Sequence, residues 1–142
     1  EISCALGLSQ FTRLDKIIIK RSKIANYYRQ YLNYNDYLNL PKYYKNPYYA
    51  GWHLYQLSIN FEKLGMKKAN FINYLSKLSI GSQVHYIPIT YQPYYRGYTE
   101  KQKIKGAIKF YENTISVPMY TSLSKNSVKF IAEAINDFFK IK

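Results

Sequence analysis

Apolar residues recur at helical spacing in four stretches of this chain, and short runs rich in aromatic and β-branched residues lie between them. The first pattern predicts helices that each bury one face, and the second predicts strands. A chain that alternates the two must pack its helices against a sheet. The predicted fold class is therefore α/β or α+β, with a long N-terminal helix and a small sheet packed by helices.

The first stretch predicts one long helix over residues 2–31, which should end near residues 33–36. The positions that signal it are Ile2, Leu6, Phe11, Leu14, Ile17, Ile18, Ile24, Tyr27, Tyr28 and Tyr31. No Ser, Thr, Asp or Asn precedes the pattern as a cap, so the chain is expected to begin inside an element. The first turns are apolar nearly all round. We therefore expect an exposed patch through which the isolated chain self-associates.

Three runs predict strands. The run richest in β-forming residues covers residues 52–59 and reads WHLYQLSI. Residues 83–87 alternate in polarity and stop at Pro88, because proline has no backbone N–H to donate. Residues 115–120, before the last helical stretch, predict a short extended segment.

Three further helices follow from the same spacing argument. They should cover residues 66–78, closing at Gly81, then residues 100–113, and finally a helix capped by Ser124. The positions that signal them are Phe71, Leu75 and Leu78, then Ile104, Ile108 and Tyr111, and then Val128, Ile131, Ile135 and Phe138. No repeat or change of composition marks a boundary, so residues 1–142 should form a single unit.

The charge of the chain raises a second function class. Twenty-one Lys and Arg residues against 8 Asp and Glu give a net charge of +13, and 18 tyrosines are interleaved with lysines, as in PKYYKNPYY. Such a surface could bind nucleic acid by charge attraction and base stacking. Bidentate recognition of phosphate or guanine favours arginine, however, and the only arginines are Arg13, Arg21, Arg29 and Arg96. We expect no nucleic-acid partner, and a basic module for nucleic acid or anionic surfaces remains the alternative function.

Residue chemistry alone indicates no active site. The chain has no Gly-rich phosphate loop, no HExxH or GxSxG motif and no cysteine and histidine spacing of a metal site. His53 and His85 lie on two predicted strands and could meet, but neither has a carboxylate or thiol neighbour, so we predict no metal. The acidic residues are scattered singly, and no carboxylate pair for acid–base chemistry is visible.

Cysteine usage and hydropathy bear on the compartment. The single Cys4 cannot form an internal disulfide, which fits a reducing cytoplasm better than a secreted location. No apolar run approaches the roughly 18 residues of a membrane span, and no signal-peptide pattern begins the chain. A soluble cytoplasmic protein with no membrane partner is expected.

Four segments resemble one known family in the same order and with similar spacing. They are ALGLSQFTRLDKIIIKR, WHLYQLSINFEKLG, IGSQVHYIPITYQPYYRGY and FYENTISVPMYTSLS. The chain is similar, from residue 1 to about residue 135, to the C-terminal small-domain region of the DegT/StrS family. This family comprises fold-type I nucleotide-sugar aminotransferases that depend on pyridoxal 5′-phosphate (PLP). The resemblance is strongest to members that aminate a UDP-linked 4-keto-6-deoxy sugar in pseudaminic acid biosynthesis.

The resemblance implies an activity for a full-length homodimeric enzyme. That activity is transfer of an amino group from glutamate to C4 of a UDP-4-keto-6-deoxy-HexNAc sugar with PLP. The resemblance implies that none of the lysines here matches the family's Schiff-base lysine, and we expect the large PLP-binding domain to be absent from these 142 residues. We therefore expect no catalytic or cofactor-binding residue, and no activity, in this chain alone. The family's matching stretch lies against the nucleotide-sugar, which implies four substrate-binding residues: Gln83, Val84, His85 and Tyr86.

Overall fold

A computed structural model describes residues 1–95, 97 and 104–140. Its helices are α1 Ile2–Phe11, α2 Leu14–Tyr31, α3 Phe61–Leu64, α4 Lys68–Lys77, α5 Lys105–Asn113 and α6 Lys125–Phe138. Its strands are β1 Leu38–Asn39, β2 Tyr55–Ile59, β3 Gln83–Val84 and β4 Thr114–Val117. Short 3₁₀ turns cover Pro47–Tyr49, Ile89–Tyr91 and Pro93–Tyr95. Helices around a small sheet confirm the predicted fold class.

The four strands form one antiparallel sheet in the order β1-β2-β4-β3. Side chains alternate along β2, so that Tyr55, Leu57 and Ile59 are buried on one face. Gln56 and Ser58 are half-buried on the opposite face. The sheet therefore has an apolar face that packs against helices and a polar face on its other side.

Aromatic rings fill much of the core on the apolar face. The ring of Tyr28 in α2 stacks on that of Tyr55, with centroids 4.7 Å apart, and its hydroxyl donates to the carbonyl of Pro118 at 2.8 Å. Burial raises the pKa of Tyr28 far above its usual range. In α4, the Phe71 ring meets Phe138 of α6 edge to face at 4.9 Å. Several of the many aromatic residues are thus core residues.

The predicted long N-terminal helix is wrong in one respect, because it is two helices. The Thr12 hydroxyl donates to the carbonyl of Ser9 at 2.9 Å, which is the acceptor that the Arg13 amide would use in a continuous helix. The Arg13 amide bonds instead to the carbonyl of Gln10 at 3.0 Å. A threonine side chain that competes with the backbone thus ends α1. Hydrophobic spacing cannot show this break, because it continues on both sides.

The strand at residues 52–59 is confirmed only from Tyr55 onward. Trp52 has a φ of 43°, in the left-handed region, which is incompatible with an extended strand. The strand at residues 83–87 is confirmed only for its first two positions. It pairs with β4, and β4 begins at Thr114 directly after α5 ends. Few β4 residues therefore remain to pair with the residues that follow Val84. The prediction that both histidines lie on strands is therefore wrong.

Two helix boundaries also differ from the prediction. Helix α4 ends at Lys77, and the chain then turns at Ser79, which has a φ of 58°, rather than at Gly81. Leu78, which lies beyond the last turn, is 37 % exposed, whereas Phe71 and Leu75 are fully buried as expected.

The last two helices agree with their predicted ends. Helix α5 ends at Asn113, while residues 100–103 of the predicted helix lie outside the described residues. The predicted cap of α6 is confirmed, because the Ser124 hydroxyl accepts from the Ser127 amide at 3.0 Å. The four residues that signalled this helix are all buried: Val128, Ile131, Ile135 and Phe138.

Helix α1 exposes the predicted apolar patch. None of its ten residues is buried, and the exposed fractions of its large apolar side chains are 88 % for Ile2, 61 % for Leu6, 69 % for Leu8 and 70 % for Phe11. Apolar side chains that stay in contact with water on successive turns favour association. We name this surface the α1 patch.

Leu8→Lys is expected to weaken self-association of the 142-residue chain through the α1 patch at least tenfold. Burying a leucine side chain contributes about 1.5–3 kcal/mol, and about 1.4 kcal/mol is tenfold in affinity. Sedimentation velocity across a concentration series measures the effect. Ser9→Lys, which adds the same charge to the same helix, is the control and should change association much less. A wild-type chain that stays monomeric at every concentration would refute this prediction.

Candidate functional site

Polar side chains form a row across the second face of the sheet. Gln56 of β2 pairs with Ser116 of β4, and Gln83 of β3 pairs with Ser116 from the other side. Paired residues in a sheet point to the same face, so these three side chains lie side by side. His85 follows Gln83 by two positions and reaches the same face. We call these four residues the polar row.

The His85 ring is fixed by contacts on two sides. Its Nε2 atom lies 2.9 Å from Ser116 Oγ and 3.3 Å from Gln56 Nε2. The ring centre is 5.5 Å from that of Phe110 in α5. The side chain is half-buried, and both burial and the positive charge of Lys68 lower the pKa of His85 below its usual range. The imidazole is therefore neutral at neutral pH.

The four residues predicted to bind substrate are consecutive but differ in environment. Gln83 and His85 belong to the polar row, whereas Val84 pairs with Ile115, one position out of phase with the row. Val84 is 41 % exposed and Tyr86 is 91 % exposed. The structure thus brings Gln83 and His85 together and leaves the Tyr86 ring accessible to a ligand.

Three residues that contact His85 were not predicted from the sequence. They are Gln56, Phe110 and Ser116. Gln56 and Ser116 lie inside the two runs predicted as strands, where each is a polar residue between apolar ones. That alternation is a signal that both point away from the core. The pairing of the strands, which sets these residues beside His85, could not be inferred from it.

Open grooves border the polar row. One of about 320 Å³ is lined by Gln83 and Ser116, and a second of about 320 Å³ is lined by Gln56 and Phe110. A separate groove of about 680 Å³, which no residue of the polar row lines, lies between α4 and α5, and its charged lining residues are Glu62, Lys67, Lys68, Lys105, Lys109 and Glu112. Volumes of this order are typical of sites that hold small molecules or parts of them.

The comparison with known proteins decides the family. Residues 1–136 match the model of the DegT/DnrJ/EryC1/StrS aminotransferase family. This chain belongs to that family. The resemblance predicted from the four sequence segments is confirmed.

Relatives of this family member include a polysaccharide biosynthesis protein and a transaminase. The spore coat polysaccharide biosynthesis protein SpsC of Bacillus subtilis (strain 168) is 34 % identical over an alignment of 144 positions, which covers 99 % of this chain and 36 % of SpsC. UDP-4-amino-4,6-dideoxy-N-acetyl-beta-L-altrosamine transaminase of Campylobacter jejuni subsp. jejuni serotype O:2 is 29 % identical over 135 residues, which are 95 % of this chain and 35 % of that protein.

A solved structure of an aminotransferase shares the fold of this family member. PseC of Helicobacter pylori, an aminotransferase involved in the biosynthesis of pseudoaminic acid, superposes with a TM-score of 0.84 and 29 % identity. The superposition covers 96 % of this chain and 36 % of PseC. The chain therefore spans about a third of the length of the relatives that it matches.

PLP, the cofactor that the resemblance implies, needs a Schiff-base lysine, and the described lysine with a lowered pKa does not fit that role. A Schiff-base lysine needs an uncommitted amine that faces the cofactor. Among the described lysines, Lys68 has a lowered pKa, because burial disfavours its charged form. The negative charge of Glu112 acts in the opposite direction but is the smaller effect. Its Nζ, however, donates to the backbone carbonyl of Tyr111 and lies 4.4 Å from the centre of that residue's ring. This amine is committed to the fold.

Several tyrosine rings are paired with cations of the same chain. The pairs are Arg29 with Tyr43, Lys42 with Tyr44, Lys63 with Tyr37, Lys68 with Tyr111 and Lys125 with Tyr27. Contacts of this kind stabilise the fold itself. The absence of a nucleic-acid partner stays a prediction, and steep salt dependence of a tight oligonucleotide affinity would instead favour the alternative function.

The described residues contain neither a metal-binding cluster nor a membrane-spanning helix. In that part of the chain, no three His, Cys, Asp or Glu side chains lie close enough together to hold a metal ion. Within the same residues, no helix combines the length and the apolar character that crossing a bilayer requires.

Proposed function

We propose that this chain is the C-terminal part of a PLP-dependent nucleotide-sugar aminotransferase. The enzyme would transfer an amino group from glutamate to C4 of a UDP-4-keto-6-deoxy-HexNAc sugar. The observation that carries the proposal is the superposition of nearly the whole chain on PseC, at a TM-score of 0.84. The name of the Campylobacter jejuni relative, a transaminase of a UDP-linked dideoxy amino sugar, supports this substrate class.

In this proposal, the role of this chain in the enzyme is to bind the nucleotide-sugar. Gln83, Val84, His85 and Tyr86 would line the edge of the cleft. The neutral His85 imidazole can donate to a hydroxyl or diphosphate oxygen, and the exposed Tyr86 offers a ring face and a hydroxyl. Buried Pro88 fixes the direction of the chain directly beyond them. A neutral donor at this position would orient the substrate.

PLP supplies the electron sink for amino transfer when it is bound. In this proposal the cofactor is held by residues outside the 142 of this chain, in a homodimeric enzyme. The chain alone is therefore expected to show no stable cofactor absorbance when mixed with PLP. It should also produce no amino sugar from glutamate and the UDP-linked ketone.

The test uses a chimera in which residues 1–142 replace the matching segment of the Campylobacter jejuni relative. Amination of the UDP-sugar by the chimera, and its absence with the 142-residue chain, would support the proposal. Cofactor-dependent amination by the 142-residue chain alone would contradict it. A folded chimera that binds PLP but does not aminate the UDP-linked ketone would contradict the assigned substrate.

His85→Ala in the chimera is expected to raise KM for the UDP-sugar by about 5- to 30-fold and to lower kcat less. Loss of one hydrogen bond to substrate costs about 1–2 kcal/mol, and a positioning contact acts mainly on binding. Tyr86→Ala should also raise KM. Tyr34→Ala is its matched control, because Tyr34 is 92 % exposed and lies outside the polar row. Unchanged kinetics for His85→Ala would remove this residue from the substrate site.

A further inference from the structure

The contacts of His85 differ between its two ring nitrogens. Both polar partners, Ser116 Oγ at 2.9 Å and Gln56 Nε2 at 3.3 Å, approach the same atom, Nε2. No hydrogen bond to Nδ1 is formed by the described residues. One nitrogen is therefore held by the sheet, and the other is left for an outside group.

The chemistry of the two partners decides where the imidazole proton lies. The amide nitrogen of Gln56 can only donate, and the hydroxyl of Ser116 can donate or accept. A protonated Nε2 would set an N–H against the Gln56 amide N–H groups, which is unfavourable. An unprotonated Nε2 accepts from both partners. A neutral imidazole that accepts at Nε2 carries its proton on Nδ1.

We propose that Gln56 and Ser116 are positioning residues that hold His85 as the Nδ1–H tautomer. The Nδ1–H group is then a fixed donor at the substrate site, and it selects a ligand atom that accepts, such as a hydroxyl or diphosphate oxygen. The identity of that ligand rests on the proposed function, whereas the tautomer does not. The sheet provides the necessary rigidity, because Ser116 is 4 % exposed and lies between two paired strands.

The lowered pKa of His85 agrees with this arrangement, because burial and the positive charge of Lys68 both disfavour a second proton on the ring. Phe110 covers one side of the ring and restricts its rotation. A 180° flip of the ring would put Cε1 in the place of Nε2 and would break both hydrogen bonds. The fixed orientation is what distinguishes a positioned donor from an ordinary surface histidine.

Nitrogen-15 NMR of the histidine rings in the 142-residue chain tests the tautomer directly, without cofactor or substrate. His53→Ala assigns the spectrum, because the chain has only 2 histidines. We expect His85 at neutral pH to show a protonated Nδ1 and an unprotonated Nε2. A protonated Nε2 in the wild-type chain would overturn the inference, since the Gln56 amide would then have to present its oxygen instead.

Variants separate positioning from general packing. Gln56→Glu replaces the donor by an acceptor and should move the proton to Nε2 or add a second proton. Ser116→Ala should leave a mixture of tautomers, and Ser116→Thr, which keeps the hydroxyl, should restore Nδ1–H. Ser58→Ala on the same face is the control and should leave the His85 spectrum unchanged. Tautomers that do not respond to Gln56→Glu and Ser116→Ala would also overturn the inference.

The active chimera connects the tautomer to substrate. Ser116→Ala is expected to raise KM for the UDP-sugar about fivefold, with a smaller change in kcat, and to have no further effect when His85→Ala is already present. An additive effect of the two changes would show that Ser116 does not act through His85 and would refute its positioning role. An Nδ1–H tautomer with unchanged KM in both variants would uphold the tautomer and refute the proposed substrate contact. Failure of the inference and failure of the proposed function are thus distinguishable.

Discussion

Phe71→Ala is expected to lower the free energy of unfolding by about 3–5 kcal/mol. The Phe71 side chain is fully buried in the middle of α4. Its ring contacts those of Phe61, Phe138 and Phe139, with centroids 6.1, 4.9 and 6.5 Å away. Truncation removes apolar contact and leaves a cavity that three further rings cannot all move to fill. Domains of this size are stable by about 5–15 kcal/mol in total, so the variant should retain little stability.

Urea denaturation of the 142-residue chain measures this loss as a shift of the unfolding midpoint at unchanged slope. Phe130→Ala is the matched control, because it makes the same change within a helix at a side chain that is 52 % exposed. Its effect should be about 1 kcal/mol or less. Equal losses for the two variants would show that Phe71 does not belong to a consolidated core.

The core of this chain could be predicted where one local pattern decides burial. Helix α6 combines a serine cap with apolar residues at helical spacing, and all four of its signal residues are buried. Helix α5 shows the limit of the same argument. Of its signal residues, Ile104 is 49 % exposed, and Ile108 and Tyr111 are only half-buried. Spacing predicts that a face is apolar, but the rest of the fold decides whether that face is covered.

Each boundary that was predicted wrongly depends on a local structural detail. The break between α1 and α2 depends on one hydrogen bond from the Thr12 hydroxyl, and the short β3 depends on how many β4 residues lie opposite it. The late start of β2 depends on the positive φ of Trp52. Each is set by a single local bond, a backbone angle or a partner strand. A repeating pattern of residue types carries none of this information.

The candidate site also combines residues that the sequence indicated with residues that it could not indicate. The stretch from Gln83 to Tyr86 was predicted only through resemblance to a family, because one histidine beside a strand carries no specific chemistry. The residues that fix His85, Gln56 and Ser116, come from two other strands and meet it only through the register of the sheet. Register is a long-range property. The register of the sheet therefore decides that Nε2 of His85 is hydrogen-bonded and that Nδ1 stays available to a ligand.

Asn136→Ala is expected to lower the free energy of unfolding by about 2–3 kcal/mol. The side-chain amide of Asn136 bonds to one backbone group at the end of α2 and to another just beyond that helix. Asn136 is 9 % exposed on α6. Its Oδ1 accepts from the Asn33 amide at 2.9 Å, and its Nδ2 donates to the carbonyl of Tyr31 at 2.8 Å. That carbonyl belongs to the last residue of α2 and has no partner within the helix.

Alanine at position 136 would leave both backbone groups unpaired in a partly buried place, where each costs about 1–3 kcal/mol and water recovers only part of the loss. The effect should exceed that of truncating an exposed asparagine. Asn26→Ala on α2 is that control, and it should be neutral or slightly stabilising, because alanine has the higher helix propensity. Faster hydrogen exchange of the Asn33 amide in Asn136→Ala, with unfolding followed by urea, would locate the damage at the contact between α2 and α6. Equal stability of Asn136→Ala and the wild-type chain would mean that water replaces the asparagine at both backbone groups at no cost.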